Sequence, residues 1–231
     1  MQHKDMNKKT PQCVGIIMDG NRRWAKEKNL PSLEGHKKGL GNFDTVAHAA
    51  RELGVKHFVV YMLSTENWNR AETEVSYLME LFQTAINDAF NRLKQEGTRL
   101  HFIGDLSRFP VDIQKNLKKL EDETKEYDDF HVWICASYGG RLEIIEAVKK
   151  LTDKGQAVTE ESLKENMWSA GMPDPDIIIR TGGEKRLSNF LLWQSAYAEL
   201  FFTDTYWPAF TKEELQDILE QYAQRDRRYG K

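Results

Sequence analysis

Asp19, Arg22 and Arg23 fall in one short stretch, Asp19-Gly20-Asn21-Arg22-Arg23. One carboxylate beside two guanidinium groups suits the handling of a phosphorylated anion. The carboxylate is a hard oxygen ligand for Mg2+, and the guanidinium forks take phosphate oxygens in pairs. The same residues also fit a plainer role, a helix start whose Asp and Arg pair with each other. Arg180 and Arg186 bracket a Gly182-Gly183 pair and are followed by Ser188. That pattern suits a diphosphate held by arginines, a hydroxyl and backbone N–H groups, or a glycine turn with solvated arginines. A third stretch, Ser64-Thr65-Glu66-Asn67-Trp68-Asn69-Arg70, adds another arginine. So many cations around Asp19 imply more than one phosphate. Neither G-x-x-x-x-G-K-[ST] nor G-x-G-x-x-G occurs, so the anion is not held as nucleotides usually are.

The elements needed to position these residues follow from the apolar pattern. Val14, Ile16, Ile17 and Met18 predict a buried strand, and Asp19-Gly20-Asn21 stops it. Helix then runs from the Gly35-to-Gly39 stretch to about Leu53, with Leu40, Phe43, Val46, Ala47 and Ala50 at helical spacing. His57 to Leu63 predicts a second strand, which completes a βαβ unit. A helix from near Glu74, ended by Gly97, is followed by a strand over 99–103. Next come a helix over 111–125, a strand over 130–136 and helices to about 152 and over 160–169. A strand over 176–179, a last strand over 199–203 and a final helix over 211–228 complete the reading. Parallel topology brings most strand ends, and with them Asp19, Arg70, Arg180 and Arg186, to one rim. The pair Gly139-Gly140 admits a ligand close to the backbone or makes a tight turn.

The 231 residues suffice for one α/β domain with a sizeable core. A net charge of −3 gives no basic field pointing to nucleic acid. Two cysteines, Cys13 and Cys135, give neither a disulfide framework nor a zinc spacing, which suits a reducing, cytoplasmic setting. No run approaches the roughly 20 apolar residues of a membrane span, and no secretion signal is seen. Residues 1–12 are expected to be a flexible arm ahead of a catalytic domain over 13–231. Six tryptophans and eleven phenylalanines suit a large apolar interior or an apolar ligand.

Six blocks carry a resemblance: M-D-G-N-R-R-W-A, G-H-K-K-G, S-T-E-N-W-N-R, Y-G-G-R, R-T-G-G-E-K-R-L-S-N-F-L-L-W-Q and A-E-L-F-F-T-D-T-Y-W-P. Their content and order resemble the cis-prenyltransferases, the undecaprenyl diphosphate synthase family, from about Val14 to Gly230. The resemblance implies a single α/β domain whose mainly parallel six-stranded sheet is flanked by helices and carries a hydrophobic tunnel. It implies Mg2+-dependent condensation of isopentenyl diphosphate with an allylic diphosphate such as farnesyl diphosphate, in a homodimer. Membrane contact would be peripheral, through the lipid product. Asp19 would be the central catalytic and metal-binding residue, with Glu199 the second metal-linked carboxylate. Gly20, Asn21, Arg22, Arg23 and His36 would hold the allylic diphosphate, with Trp24 beside it. Ser64, Thr65, Glu66, Asn67, Trp68 and Arg70 would belong to a loop closing over the substrates. Arg180, Arg186, Leu187 and Ser188 would bind isopentenyl diphosphate, helped by an R-x-G tail at Arg228-Tyr229-Gly230. Asn67 is the family's candidate proton acceptor. An amide is barely basic, so it is read as positioning water or a diphosphate oxygen.

The chain also departs from the family. Ser32 stands where an arginine is usual, Glu34 where an aromatic is, and Ala71 where proline is. Met62 is bulky where a small residue is usual, and bulky Phe130 sits at the tunnel-floor position, so a product shorter than undecaprenyl is expected. Glu199 sits at the start of its strand, away from the rim, so a partner subunit supplies it or its metal is peripheral. A non-catalytic partner subunit is the rival reading, although such chains lose the aspartate and the arginine set. An unrelated phosphate-handling hydrolase on a similar sheet is a third, because fold alone does not give function.

Overall fold

The computed structural model describes residues 10–225. The N-terminal arm therefore lies mostly outside the described residues. So does the Arg228-Tyr229-Gly230 tail, whereas the last helix ends within them at Ala223, short of the expected residue 228. Six strands form one sheet: β1 (Cys13–Ile17), β2 (His57–Tyr61), β3 (Thr98–Ile103), β4 (Phe130–Cys135), β5 (Ile177–Arg180) and β6 (Glu199–Phe202). Every neighbouring pair is parallel, in the order β3-β4-β2-β1-β5-β6. The strands are short continuous apolar runs because both faces are covered. Val14 and Ile16 face one core cluster with Phe58, Val60, Ile177 and Ile179; Cys13 and Ile17 face the other with Val59, Ile178 and Phe190.

The helices are α1 (Asn21–Glu27), α2 (Ser32–Glu52), α3 (Glu72–Ala85), α4 (Asn91–Gln95), α5 (Val111–Glu123), α6 (Gly140–Asp153), α7 (Glu160–Asn166) and α8 (Lys212–Ala223). Helix α2 starts three residues before the expected Gly35, at Ser32 behind Pro31. Gly35 and Gly39 are thus not its opening; they are a contact face. A Cβ on Gly35 would overlap the Asn21 carbonyl, and one on Gly39 the Asn21 side chain. The absence of both lets α1 lie directly on α2. The run expected as one helix from near Glu74 instead widens to a π turn over Ile86–Phe90 between α3 and α4. There Asn91 Nδ2 donates to the Ile86 carbonyl at 2.8 Å and to Asn87's at 3.2 Å, which opens the local ladder.

Register sets the site. Ile17 stands opposite both Tyr61 and Arg180, and Tyr61 opposite Cys135. The segments leaving β1, β2, β4 and β5 therefore share one rim. β2 and β5 flank β1, so the chain order reverses there, which is where open parallel sheets bind ligands. No helix among the described residues is long and apolar enough to cross a membrane.

Candidate active site

The turn after β1 aims Asp19 into the rim. Gly20 caps α1 at φ 104°, and a Cβ there would meet the Tyr206 ring, so only glycine fits. Thr181, fully buried, clamps the backbone: its Oγ1 accepts from Asp19 N at 3.0 Å and donates to Asp19 O at 2.7 Å. The Asp19 carboxylate accepts from Arg180 Nη2 at 2.8 Å and from Gly20 N at 2.6 Å, and lies 3.2 Å from Arg23 Nη2. Burial opposes ionisation of Asp19. The hydrogen bond and charge of Arg180, then the charge of Arg23, outweigh it and hold the carboxyl below 3.8.

Arg180 has a side chain only 5% exposed, and its other donors reach Ser188 Oγ at 2.7 Å and the Arg186 carbonyl. Arg23 donates to Gly182 O at 2.5 Å and lies 3.7 Å from Glu184, which also pairs with Arg186. On the opposite wall Glu74 holds Arg70 at 2.8 Å and faces Arg22 at 3.8 Å. Each of these arginines thus rests on a carboxylate of its own chain. Most of the pairs are solvent-accessible, and such pairs are weak, on the order of 1 kcal/mol or less, so phosphate oxygens can replace them.

Asp19 and the five arginines Arg22, Arg23, Arg70, Arg180 and Arg186 line a cleft of about 1050 Å³. Of the residues singled out by sequence, Asp19, Gly20, Asn21, Arg22, Arg23, His36, Ser64, Asn67, Arg70, Arg180, Arg186 and Ser188 line it. Ser32 lines it too, with a hydroxyl where the family carries an arginine. Asn21 Oδ1, His36 Nε2 and Arg180 Nε are buried there without a hydrogen-bond partner. Buried polar atoms without partners are uncommon, and three beside one cleft mark a place built for a polar ligand. Burial first, then the charges of Arg70 and Arg22 against the opposing pull of Glu74, push His36 down to about 4, so it meets that ligand as a neutral ring. Next to the cleft lies an apolar cavity of about 80 Å³ lined by Leu40, Phe43, Leu63 and Phe82. Met18, Asn21, His36, Tyr61, Met62 and Leu78 line both spaces.

Other predicted residues are placed elsewhere. Trp68 turns from the cleft, donating to Ser137 Oγ at 2.9 Å and packing edge-on against Phe109. Glu66 accepts from Asn189 at 2.9 Å, and Thr65 N–H is spent on the Tyr138 carbonyl. Leu187 packs against the second core cluster, and Trp24 is half-buried outside the cleft lining. Glu199 opens β6 opposite Ile177, at the other end of the sheet, and is paired with Arg225. Within one chain it does not meet Asp19. Phe130 lies in the main core and lines neither space. Thr181, Glu184 and Tyr61 were not singled out by the sequence. A Thr and a Glu inside the R-T-G-G-E-K-R block were the available signal for two of them.

The donor set fits a magnesium ion arriving with a diphosphate. Asp19 is the one carboxylate among the described residues lining the cleft, and no three described His, Cys, Asp or Glu form a closed cage. Mg2+ commonly takes one or two carboxylates and completes its shell with phosphate oxygens and water.

The family model of undecaprenyl diphosphate synthases matches residues 17–230. An isoprenyl transferase of Treponema denticola is 44% identical over 218 residues, 94% of this chain and 96% of its own. One of Chromobacterium violaceum is 43% identical over 222 residues, 96% of this chain and 88% of its own. A crystal structure of lavandulyl diphosphate synthase from Lavandula x intermedia, in complex with dimethylallyl diphosphate, superposes with TM-score 0.91 at 33% identity. It covers 96% of this chain and 99% of that one. A probable undecaprenyl diphosphate synthase from Campylobacter jejuni gives TM-score 0.83 at 32% identity, covering 96% and 100%.

Proposed function

The chain belongs to the undecaprenyl diphosphate synthase family of prenyltransferases. From that premise we propose that it condenses isopentenyl diphosphate with an allylic diphosphate, such as farnesyl diphosphate, into a cis-polyprenyl diphosphate with the help of Mg2+. The observation that carries this reading is the junction of two unlike spaces: a cleft ringed by Asp19, Arg23 and Arg180 opens beside an apolar cavity, with Met18, Met62 and Leu78 shared between them. A diphosphate head belongs in the first, and the second, at about 80 Å³, takes the start of an isoprenoid tail and has to widen for the rest.

In each cycle the isopentenyl double bond attacks the allylic C1, the C1–O bond breaks, diphosphate leaves with the electron pair, and the isopentenyl C2 proton passes to a diphosphate oxygen. Bound Mg2+ would neutralise the charge growing on the leaving group, held by Asp19 and the diphosphate oxygens. Arg22, Arg23, neutral His36 and the helix-start backbone at Gly20 and Asn21 hold the allylic diphosphate, and Arg70 closes on it. Arg180, Arg186 and Ser188 hold isopentenyl diphosphate, on the loop that Leu187 anchors in the core. Guanidinium groups that exchange their carboxylates for phosphate oxygens stabilise that charge. Asn67 Oδ1 already accepts from Ser64 N at 2.9 Å, so it offers its amide N–H2 and positions a diphosphate oxygen; it is not a base. Trp24, Thr65, Glu66 and Trp68 support these groups from behind.

A homodimer accounts for Glu199: if it acts across the interface, the Glu199→Ala homodimer loses activity and a mixed dimer of Asp19→Ala and Glu199→Ala chains regains about half of the wild-type level, whereas a fully active Glu199→Ala homodimer makes that carboxylate peripheral. Met62 at the junction shortens the product. Chromatography of the chain tests this, and an eleven-unit sole product ends the idea. The primary experiment is Mg2+-dependent incorporation of labelled isopentenyl diphosphate with farnesyl diphosphate as primer. No incorporation by the pure protein restores the partner-subunit reading.

A further inference from the structure

We propose that Asn189 is a positioning residue that locks the Ser64-to-Arg70 turn to the Ser188 subsite, so that the two halves of the cleft form as one unit. The inference rests on the reading above for what Ser188 binds. Asn189 takes φ 67° and Ser188 φ 48°, left-handed values that asparagine tolerates and serine rarely takes. Three contacts hold that turn. Asn189 Nδ2 donates to Glu66 Oε1 at 2.9 Å, its Oδ1 accepts from Arg141 N at 2.9 Å, and its carbonyl accepts from Gly140 N at 2.7 Å. Asn189 thereby caps α6 from outside, because Gly139 at the N-cap has no side chain to do so.

Gly139 explains how the pieces come so close. A Cβ there would lie 2.7 Å from both Asn189 Nδ2 and Thr65 Oγ1. The glycine pair of Y-G-G-R therefore admits two side chains of the same protein. Tyr61 adds a second tie, its hydroxyl lying 3.2 Å from the Tyr138 carbonyl and 3.3 Å from that of Ser188. One residue from Asn189, Ser188 Oγ receives Arg180, which holds Asp19. One residue from Glu66, Asn67 lines the cleft. Glu66, expected to touch substrate, acts instead through Asn189.

Asn189→Asp tests this without removing the α6 cap, since an aspartate oxygen still accepts from Arg141 N. Its other oxygen faces Glu66, and like charges replace a hydrogen bond. The KM for isopentenyl diphosphate is expected to rise about tenfold, as is the calorimetric Kd of isopentenyl thiolodiphosphate measured without an allylic primer, when no condensation can occur. The KM for farnesyl diphosphate should rise as well, by about threefold or more, because Arg70 on the locked turn closes on that substrate, while Tm moves by less than about 2 °C. Glu66→Gln with Asn189→Asp restores a donor facing an acceptor and should return both isopentenyl constants to within about threefold of wild type. Gly139→Ala, which wedges the two segments apart, should raise them as Asn189→Asp does. An Asn189→Asp protein with unchanged isopentenyl constants overturns the proposal. So does a double variant no better than the single one, or a loss confined to one of the two substrates. Failure of wild-type incorporation counts against the proposed reaction, whereas the thiolodiphosphate series still reads the coupling.

Discussion

Asp19 and Asp176 lie at opposite ends of the same sheet; two guanidinium groups reach the first, and two strand-start backbone amides tie down the second. Asp176 precedes β5; its carboxylate accepts from Gln12 N at 2.8 Å, Cys13 N at 3.2 Å and the Tyr222 hydroxyl at 3.2 Å. Those neutral donors tie the starts of β1 and β5 to α8. Asp19 follows β1 and rests on two guanidinium groups at the wall of an open cleft, among buried polar atoms that have no partner. Donors built into the backbone cannot change partner without breaking the fold. Arginines beside a cleft can exchange a carboxylate for a phosphate. The contrast separates a carboxylate that builds the sheet from one that works on its rim.

That contrast breaks most sharply at Asp19. Asp19→Asn keeps a hydrogen-bond acceptor for Arg180 but loses the charge. Steady-state assays should show kcat down about a thousandfold, with a smaller change in Tm than at Asp176. Asp176→Ala should do the reverse, leaving kcat within about twofold. Calorimetry should show about 2–3 kcal/mol less stability, or roughly 5–10 °C in Tm, because two strand-start amides and a tyrosine hydroxyl lose their acceptor.

Acid sharpens the comparison further. Burial first, then the neighbouring His131 and Lys56 charges, lower His57 to about 4; burial, then Arg99, lowers His101 to about 3. His36 on the rim stands at about 4. All three fold neutral, while the unfolded chain takes up their protons below about 6.5. Their contribution is therefore fully present above about 6.5 and is lost as pH falls toward 3–4. Asp19 acts lower: its depressed value gives a contribution present above 3.8 and lost below it. Urea midpoints should fall from pH 6.5 to 4. His101→Gln, in the stack on Trp133 at 3.6 Å away from the cleft, should flatten that slope more than His36→Gln does. A slope set by His36 alone would place the acid-sensitive element on the rim.

The smallest effect is at Ala71. Its φ of −55° and the ψ of 169° at Arg70 already suit proline. Ala71→Pro should raise stability by about 0.4–1 kcal/mol in thermal scans, leaving kcat within about twofold.

Much of this was legible in the sequence. Apolar runs ending in Asp19-Gly20-Asn21 and in Arg180-Thr181-Gly182 gave strands whose ends carry charge, and parallel order put them on one rim. The placing of Glu199 at a strand start foretold that it would miss that rim. What periodicity cannot give is which way a loop side chain turns. Trp68 and Glu66 stand in the same block as Asn67 and Arg70, yet only the latter two line the cleft. Gly35 and Gly39 read as helix-opening residues because their real role, contact with Asn21, depends on a neighbouring helix. The π turn hinges on one side chain, Asn91, bonding back into its own helix. The role of Asn189 is long-range, and its only local trace is an α6 start with no side chain to cap it.

The most direct test of the account is anomalous diffraction from crystals grown with Mn2+ and isopentenyl thiolodiphosphate. The account predicts a manganese peak within coordination distance of an Asp19 carboxylate oxygen, with the diphosphate seated on Arg180, Arg186 and Ser188. A peak remote from Asp19, or a diphosphate bound away from those three residues, would contradict it.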